Sequence, residues 1–277
     1  MFNKLLIVIL QLVIIQETVT IMEFIDTHAH IYASEFSADR DEVLQKARKE
    51  GIKKIVLPAI DSNTHQSLID LTQQHNDLFV PLIGLHPTSV KSDYKKELSQ
   101  VENYLSEGSF FHGIGEIGID LYWDKTYFKE QQDAFITQVR WAQERNWPII
   151  IHTRDSFNEV YSLLKPILTE DTKGIFHCFG GSLEQANLII EMGFKLGIGG
   201  VVTFKNSDLR DVLKNVDIKH IVLETDSPYL APVPFRGKRN DSSYISIIAK
   251  QIAEVYKLPL EQVAQITTKN ALDILKI

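Results

Sequence analysis

"FIDTHAHI", residues 24–31, ends a short apolar run with two histidines that stand one residue apart. Residues two positions apart on an extended segment point to the same side, so His28 and His30 can both reach one metal ion. One such pair is weak support for a metal site, because hydrogen-bonded histidines in the wall of a core give the same pattern. The interpretation therefore depends on what stands at the ends of the other apolar runs.

The run that ends at His28 is the first of eight short β-branched runs, with stretches of helical period between them. The predicted strands are 23–27, 54–59, 79–85, 111–117, 148–152, 174–178, 195–199 and 220–224. The predicted helices are 39–50, 64–75, 94–106, 129–146, 156–168, 182–192, 207–215, 242–256 and 259–276. Repeated βα units in this number predict an α/β fold, a closed (β/α)8 TIM barrel, with a doubly wound open sheet as the alternative.

The composition is that of an ordinary globular protein. The 277 residues are 44% apolar and 23% charged, which argues against a disordered chain and against a membrane-embedded one. No Pro/Gly/Ser-rich linker divides the chain, so residues 22–277 are predicted to form a single domain. The net charge of −7 argues against nonspecific coating of nucleic acid, so a phosphate ligand would need a local positive patch or bound metal.

The first 21 residues need a separate explanation. Lys4 and the apolar run after it resemble a secretory signal, but no small-residue cleavage site follows. Met22 stands directly before the first predicted strand, so we favour a start at Met22, and the alternative is an export signal or an anchor. The single cysteine, Cys178, excludes an internal disulfide and is typical of a reducing compartment. We expect a cytoplasmic protein with no stable membrane association and no obligate protein partner.

Side chains with metal-binding chemistry recur where the predicted strands end. In a parallel barrel the carboxyl ends of all strands open on the same mouth, so residues distant in sequence can form one site. These residues are His28, His30, His86, Glu116, His152, His177 and Asp226.

The size of this set indicates more than one ion. Even four of its five imidazoles, together with the two carboxylates, exceed the ligands that one ion usually takes, so we predict two divalent ions with Glu116 bridging them. Two ions about 3.5–4 Å apart suit the hydrolysis of phosphoryl esters, because they activate a shared water and neutralise charge on the attacking and leaving oxygens. Asp226 is predicted to hold one ion and to orient or deprotonate that water.

A second signal is the basic loop "VPFRGKRN", residues 233–240. Arg236, Lys238 and Arg239 surround Gly237 directly after the motif that contains Asp226, which predicts a compact receptor for an anion. Basic runs are often only solvated loop charge, and the adjacent carboxylate is what favours a phosphate site here. Arg154, two residues beyond His152, is a further candidate.

Together these segments resemble the TatD family of metal-dependent deoxyribonucleases, from about Met22 to the end of the chain. The resemblance rests on the order of "FIDTHAHI", "GLHP", "GIGEIGIDLYWDKT", "IIIHTRD", "FHCFGGS", "LETDSPYLAP", "PFRGKRN" and "ITTKNALDIL". It implies a TIM-like barrel with two divalent ions, Mg2+, Mn2+ or Zn2+, that hydrolyses DNA phosphodiesters, often as a 3′-to-5′ exonuclease.

The resemblance also implies roles for individual residues. His28, His30 and Asp226 would hold one ion, His152 and His177 the other, with Glu116 between them. The phosphate of the DNA substrate would be contacted by His86 and by the loop residues Arg236, Lys238, Arg239 and Asn240. Two positions depart from the family pattern: "RNDSS" stands where "RNEP" is common, and Thr88 stands where another histidine is common.

Two other functions remain open. The same centre could cleave another ester, as in the deacylation of D-aminoacyl-tRNA, because a fold does not fix a substrate. A catalytically silent metal-binding or nucleic-acid-binding module would lack the bridging carboxylate or the water activator, and here Glu116 and Asp226 are both present.

Overall fold

The computed structural model describes residues 22–106, 108 and 110–277, so the prediction for residues 1–21 lies outside it. Its strands are β1 (Phe24–Asp26), β2 (Ile52–Pro58), β3 (Phe79–Leu82), β4 (Ile114–Asp120), β5 (Ile149–Arg154), β6 (Gly174–Phe176), β7 (Lys195–Ile198) and β8 (Ile221–Leu223). Its α-helices are α1 (Arg40–Lys49), α2 (Ser62–Gln74), α3 (Tyr94–Ser106), α4 (Phe128–Arg145), α5 (Phe157–Leu164), α6 (Leu183–Glu191), α7 (Leu209–Leu213), α8 (Ile245–Tyr256) and α9 (Leu260–Leu275).

Backbone pairing closes the strands into a barrel. Strands β1 to β3 pair in parallel in chain order, and so do strands β4 to β8. A parallel bridge between Ile83 and Ile114 joins the β3 side to the β4 side, and one between Ala29 and Ser227 joins the two ends of the barrel. The predicted (β/α)8 barrel is therefore confirmed, and the open sheet is wrong.

Alternation along the strands divides the barrel interior into two levels. Side chains two positions apart point to the same side of a strand, so one inward position follows another at every second residue. On three strands the lower position is apolar and the upper one is polar: Ile150 lies below His152, Ile175 below His177, and Val222 below Glu224. The polar level lies toward the carboxyl ends of the strands.

The apolar level is closed from below by the last helix. Helix α9 contacts β1, β6 and β8 and buries Ala271, Ile274 and Leu275 against the inner side chains of the strands. We call this cluster the floor, and it consists of Ile25, Val56, Val80, Leu82, Ile150, Ile175, Val222, Ala271, Ile274 and Leu275. Burial of this apolar surface stabilises the barrel at the end opposite its polar level.

The outer helices pack by the same apolar periodicity that predicted them. Helix α4 buries Phe135, Val139 and Ala142, which follow one another on one face at steps of four and three residues, and it also buries the adjacent Ala134. It ends at Arg145, and the left-handed φ of 53° at Asn146 stops the helix directly before Trp147 and β5.

Element boundaries differ from the predictions where local chemistry intervenes. Strand β4 runs from Ile114 to Asp120, three residues later than the predicted 111–117. The predicted helix 156–168 ends at Leu164, and a 3-10 turn follows over Lys165–Ile167, because Pro166 cannot donate the next helical hydrogen bond. Across the part of the chain that the structure describes, we find no helix with the length and apolar character needed to cross a membrane.

Candidate metal centre

Glu116 projects from β4 into the middle of the polar level and is almost fully buried. Its Oε2 atom lies 3.0 Å from His28 Nε2 and 3.5 Å from His30 Nε2. The two histidines follow β1 and are one residue apart, so both imidazoles approach the same carboxylate oxygen. The structure thus brings the opening histidines to a residue more than 80 positions away.

The second oxygen of Glu116 faces a different group of imidazoles. Its Oε1 atom lies 2.7 Å from His152 Nδ1, 2.8 Å from His177 Nε2 and 3.2 Å from His86 Nε2. His152 stands on β5 and His177 directly after β6, at the inward positions above Ile150 and Ile175. One carboxylate therefore separates two sets of histidines, with one oxygen turned to each set.

Asp226 completes the side of the centre that contains His28 and His30. Its Oδ1 atom lies 3.8 Å from the Nε2 atom of each of these histidines. Its backbone N–H donates to the carbonyl oxygen of His28 at 2.8 Å, and its φ of 56° is in the left-handed region, which aspartate tolerates better than most residues. The backbone contact that helps to close the barrel therefore also sets the position of this carboxylate.

The hydrogen bonds of His86 decide which of its nitrogens carries hydrogen. Thr88 N donates to His86 Nδ1 at 3.1 Å, so in the neutral ring Nδ1 holds the lone pair and Nε2 holds the hydrogen. His86 Nε2 then donates to Glu116 and offers no lone pair to a metal ion. The structure brings His86 into the centre as a hydrogen-bond donor, with the backbone N–H of residue 88 fixing its ring.

Two orienting residues were missed by the sequence analysis. Tyr32 Oη donates to Pro58 O at 2.7 Å, so it accepts from His30 Nδ1 at 2.9 Å and leaves the Nε2 lone pair of that ring facing the centre. Asp120 Oδ2 accepts from His152 Nε2 at 3.0 Å, which leaves His152 Nδ1 facing the centre. The alternation that identified His30 extends to Tyr32, so this signal was present in the sequence.

Glu224 was also missed, although it stands two residues before Asp226 in the same motif. Its side chain is fully buried, its Oε1 accepts from Cys178 N at 2.5 Å, and the same oxygen lies 3.5 Å from His177 Nδ1. Gly197 on β7 leaves the space for it, because a Cβ atom there would lie 2.2 Å from Glu224 Oε2. Glu224 therefore supports the far side of the His177 ring.

Burial and neighbouring charge set the protonation of the centre. Burial lowers the pKa of His28 well below its usual value, so this ring is neutral. Burial acts to raise the pKa of Glu116, but the surrounding imidazoles, His177 first, outweigh it and hold the pKa well below its usual value. Burial likewise acts to lower the pKa of His177, but Glu116 outweighs it and holds that pKa well above the usual value. An ion bound by His177 would therefore have to displace a proton.

The donor atoms fit divalent cations on both sides of Glu116. The Nε2 atoms of His28 and His30 lie 3.1 Å apart, and His152 Nδ1 lies 3.4 Å from His177 Nε2. These separations are compatible with ligands at about 2.0–2.2 Å from a shared ion. Ligand atoms of His28, His30 and Glu116 all lie within 4.8 Å of one another. Imidazole nitrogens and carboxylate oxygens are also the ligand types that Zn2+ and Mn2+ accept.

The centre opens into a cleft of about 960 Å3 at the mouth of the barrel. Arg154, Arg236 and Lys238 line this cleft together with His86 and Asp226. Three of the predicted anion-binding cations therefore face the same space as the carboxylates of the centre. They supply local positive charge in a chain whose net charge is −7.

Arg239 and Asn240 are positioned differently from the sequence prediction. Arg239 forms a two-point ion pair with Asp39, at 2.8 Å to Oδ1 and 2.6 Å to Oδ2. Asn240 is fully buried, and its Nδ2 donates to Thr225 O and Tyr229 O at 2.6 Å each. The donor groups of these two residues are engaged within the protein, so their positions favour a role in holding the loop rather than contact with substrate.

Comparisons with known proteins agree with this architecture. Residues 25–276 match the family described as TatD related DNase. The metal-dependent hydrolase YabD of Bacillus subtilis is 38% identical over 91% of this chain and 98% of its own length. The metal-dependent hydrolase YcfH of Escherichia coli is 31% identical over 90% of this chain and 94% of its own. The crystal structure of YjjV, a TatD homologue from Escherichia coli, superposes with a TM-score of 0.87 at 29% identity and covers 93% of this chain and 100% of YjjV.

Proposed function

Because the chain belongs to the TatD related DNase family, we propose that it hydrolyses DNA phosphodiester bonds with two divalent ions and removes nucleotides from the 3′ end. The observation that supports this most strongly is the position of Glu116. Its two carboxylate oxygens each face a separate pair of histidines whose nitrogens lie within about one ion's reach. Such a pair of sites suits phosphoryl chemistry, in which charge develops on both the attacking and the leaving oxygen.

The proposed ligands follow from this geometry. One ion would be held by His28, His30 and Asp226, the other by His152 and His177, with Glu116 shared between them. Mg2+, Mn2+ and Zn2+ are the candidate ions. When bound, the ions would lower the pKa of a water molecule and offset negative charge on the phosphate.

Asp226 is the proposed proton acceptor. In the metal-free protein burial raises the pKa of its carboxyl to about 6, and a bound divalent ion would lower that pKa, so the group is ionised at neutral pH and able to accept a hydrogen bond from a water molecule. Its Oδ1 atom lies 3.8 Å from the Nε2 atoms of His28 and His30, and Asp226 lines the cleft from which a water molecule would approach the phosphate.

The phosphate would be bound by donors that already face the cleft. Arg154, Arg236 and Lys238 present positive charge to the cleft. These groups supply charge that an acidic protein otherwise lacks for a DNA strand. His86 also lines the cleft, and because its Nε2 hydrogen is donated to Glu116 here, the ring would have to turn that hydrogen from the carboxylate to the phosphate.

The proposal is tested by incubating the purified protein with single-stranded DNA labelled at its 5′ end. Separate reactions contain Mg2+, Mn2+ or Zn2+, and each is repeated with a chelator. We expect metal-dependent shortening of the labelled strand one nucleotide at a time, with release of mononucleotides. The Asp226→Asn variant should lose this activity, and Asp41→Asn, which alters an exposed carboxylate on α1, should keep it.

Other outcomes would change the proposal in defined ways. Internal cleavage would replace the exonuclease mode with an endonuclease mode. Metal-dependent release of the amino acid from D-aminoacyl-tRNA, without release of nucleotides from DNA, would replace the substrate but keep the centre. A protein that cleaves no DNA, at an end or internally, with any of the three metals would contradict the assignment as a deoxyribonuclease.

A further inference from the structure

Two aromatic side chains stand exposed at the rim of the cleft, directly after β4. Tyr122 is 54% exposed and Trp123 is 68% exposed, and Trp123 lines the cleft. Single exposed apolar residues are common on protein surfaces and need no explanation by themselves. The position of this indole and the way in which it is held are what distinguish it.

The exposed pair is fixed by contacts on its protein side. Asp120 Oδ1 accepts the backbone N–H groups of Tyr122 and Trp123, each at 3.0 Å. The Arg154 guanidinium lies over the Tyr122 ring at 4.0 Å from its centroid and over the Trp123 ring at 5.3 Å. The two aromatic rings meet edge to face, with centroids 4.9 Å apart. Trp123 is therefore presented to the cleft in a set orientation, and a ligand that uses it pays little to order it.

The same contacts connect this pair to the metal centre. Asp120 uses its other oxygen, Oδ2, to accept from His152 Nε2 at 3.0 Å. Arg154 follows His152 by two residues on β5. The Asp120 carboxylate and strand β5 therefore help to fix the positions of both His152, a proposed metal ligand, and the exposed indole of Trp123.

The rim offers one group suited to the phosphate of a nucleotide and one suited to its base. A guanidinium stacked on an aromatic ring keeps its N–H groups directed outward in its plane, where they can bind a phosphate oxygen. An exposed indole offers a flat surface on which a heterocyclic base can stack, whatever its sequence. The rim therefore offers a donor for phosphate and a platform for a base side by side.

We propose that Trp123, backed by Tyr122 and Arg154, is a stacking subsite for a nucleobase next to the phosphodiester that is cleaved. This proposal rests on the proposed function and deepens it, because it assigns recognition of the base to a residue that holds no metal. An ester without a heterocyclic base would gain nothing from this surface.

The test compares two oligothymidylates of equal length, one intact and one with an abasic residue replacing the nucleotide next to the cleaved bond. Trp123→Ala should lower kcat/KM on the intact strand by about tenfold to a hundredfold and should leave the value for the abasic strand nearly unchanged. Trp123→Phe keeps a stacking surface and should retain most of the activity. The matched control is Leu272→Ala on α9, an exposed apolar side chain that should change neither rate.

A binding measurement separates this proposal from the proposed function. Asp226→Asn protein with Mg2+ is titrated with intact oligothymidylate, and quenching of tryptophan fluorescence is recorded with and without Trp123→Phe. If Trp123→Phe abolishes the quenching and the wild-type protein cleaves no DNA, the subsite is supported and the proposed function is overturned. Cleavage that Trp123→Ala leaves unchanged, or lowers equally on intact and abasic strands, would overturn the subsite and leave the proposed function standing. Neither cleavage nor quenching would overturn both.

Discussion

The floor and the polar level of the barrel are built from the same strands, two residues apart, yet they meet opposite requirements. Below, Ile150, Ile175 and Val222 pack against α9 in a close-packed apolar cluster. Above, the next inward positions bury imidazoles and carboxylates, and atoms such as Glu224 Oε2 lack a hydrogen-bond partner among the described residues. Burial of apolar surface stabilises a fold, whereas burial of unsatisfied polar groups costs free energy. This barrel therefore separates the residues that stabilise it from the residues of the candidate centre by a single step of strand alternation.

The largest expected effect is at the polar level. We predict that Glu116→Gln abolishes detectable hydrolysis and lowers the amount of metal that copurifies with the protein, because the amide cannot serve both proposed ions as a charged bridge. Metal analysis of the purified protein and initial rates on labelled DNA measure the two effects. The control is Glu102→Gln, which alters an exposed carboxylate on α3. Normal metal content and normal rates in Glu116→Gln would contradict the central position of this residue.

A substitution in the floor should lower the stability of the fold and leave metal binding unchanged. Ile274→Ala removes a buried side chain on α9, and we expect the free energy of unfolding to fall by about 2–4 kcal/mol. Metal affinity per folded molecule should not change. Denaturant unfolding and calorimetric metal titration provide the measurements. Leu272→Ala on the same helix, at a side chain that is 39% exposed, should lower stability by less than about 0.5 kcal/mol. If Ile274→Ala weakened metal binding as strongly as it weakened folding, the two levels would not be separable.

The boundary between the levels can be tested with one methyl group. Gly197→Ala places a Cβ atom 2.2 Å from Glu224 Oε2 and 3.1 Å from His177 Cα, so the contact between the Glu224 carboxylate and the His177 ring must change. We expect the affinity for metal to fall by about 10- to 100-fold, as for other changes in groups that orient ligands. Gly199→Ala is the matched control, since its Cβ atom would make only ordinary contacts of 3.6–3.8 Å with Glu224. Titration of metal-free protein measures both variants, and equal affinities in the two would rule out a supporting role for Glu224.

The smallest effect is expected at the partly exposed ion pair between Arg239 and Asp39. The hydrogen bonds from Arg239 lower the pKa of Asp39 from its ordinary value of 3.8. A carboxylate with a depressed pKa in the folded state stabilises that state fully above the unfolded pKa, and the contribution is lost as the pH falls through the folded pKa. Wild type should therefore be slightly more stable than Asp39→Asn at pH 7, and the difference should disappear below pH 3.8. Thermal unfolding of both proteins over this range checks the sign, and a difference that grew in acid would contradict it.

The sequence was sufficient for the fold and for the convergence of the polar side chains. Repeated βα units predicted the barrel, and the residues predicted at its strand ends, from His28 to Asp226, had to meet at one mouth because all the strands run in parallel. Glu116 is the exception in its position along the strand, since it is the third residue of β4 and does not end it. Once the chain folds as a parallel barrel, these residues necessarily lie close together at its mouth.

Hydrogen-bond partners were less accessible from the sequence. Arg239 and Asn240 lie in the predicted basic loop, but only the folded chain shows that Asp39, Thr225 and Tyr229 already accept their donors. A motif reports which residues are near the mouth, whereas the direction of a side chain depends on partners up to 200 positions away.

The place of α9 beneath the strands also bears on how this protein is made. A ribosome releases every histidine and carboxylate of the mouth before the 16 residues of α9 emerge. Until then, a nascent chain that had paired its strands would expose the underside of Ile150, Ile175 and Val222 to water and to other proteins. A product that stops short of residue 260 would carry the whole set of proposed ligands, and we expect quality-control proteases to remove it rather than leave it to act as a smaller enzyme.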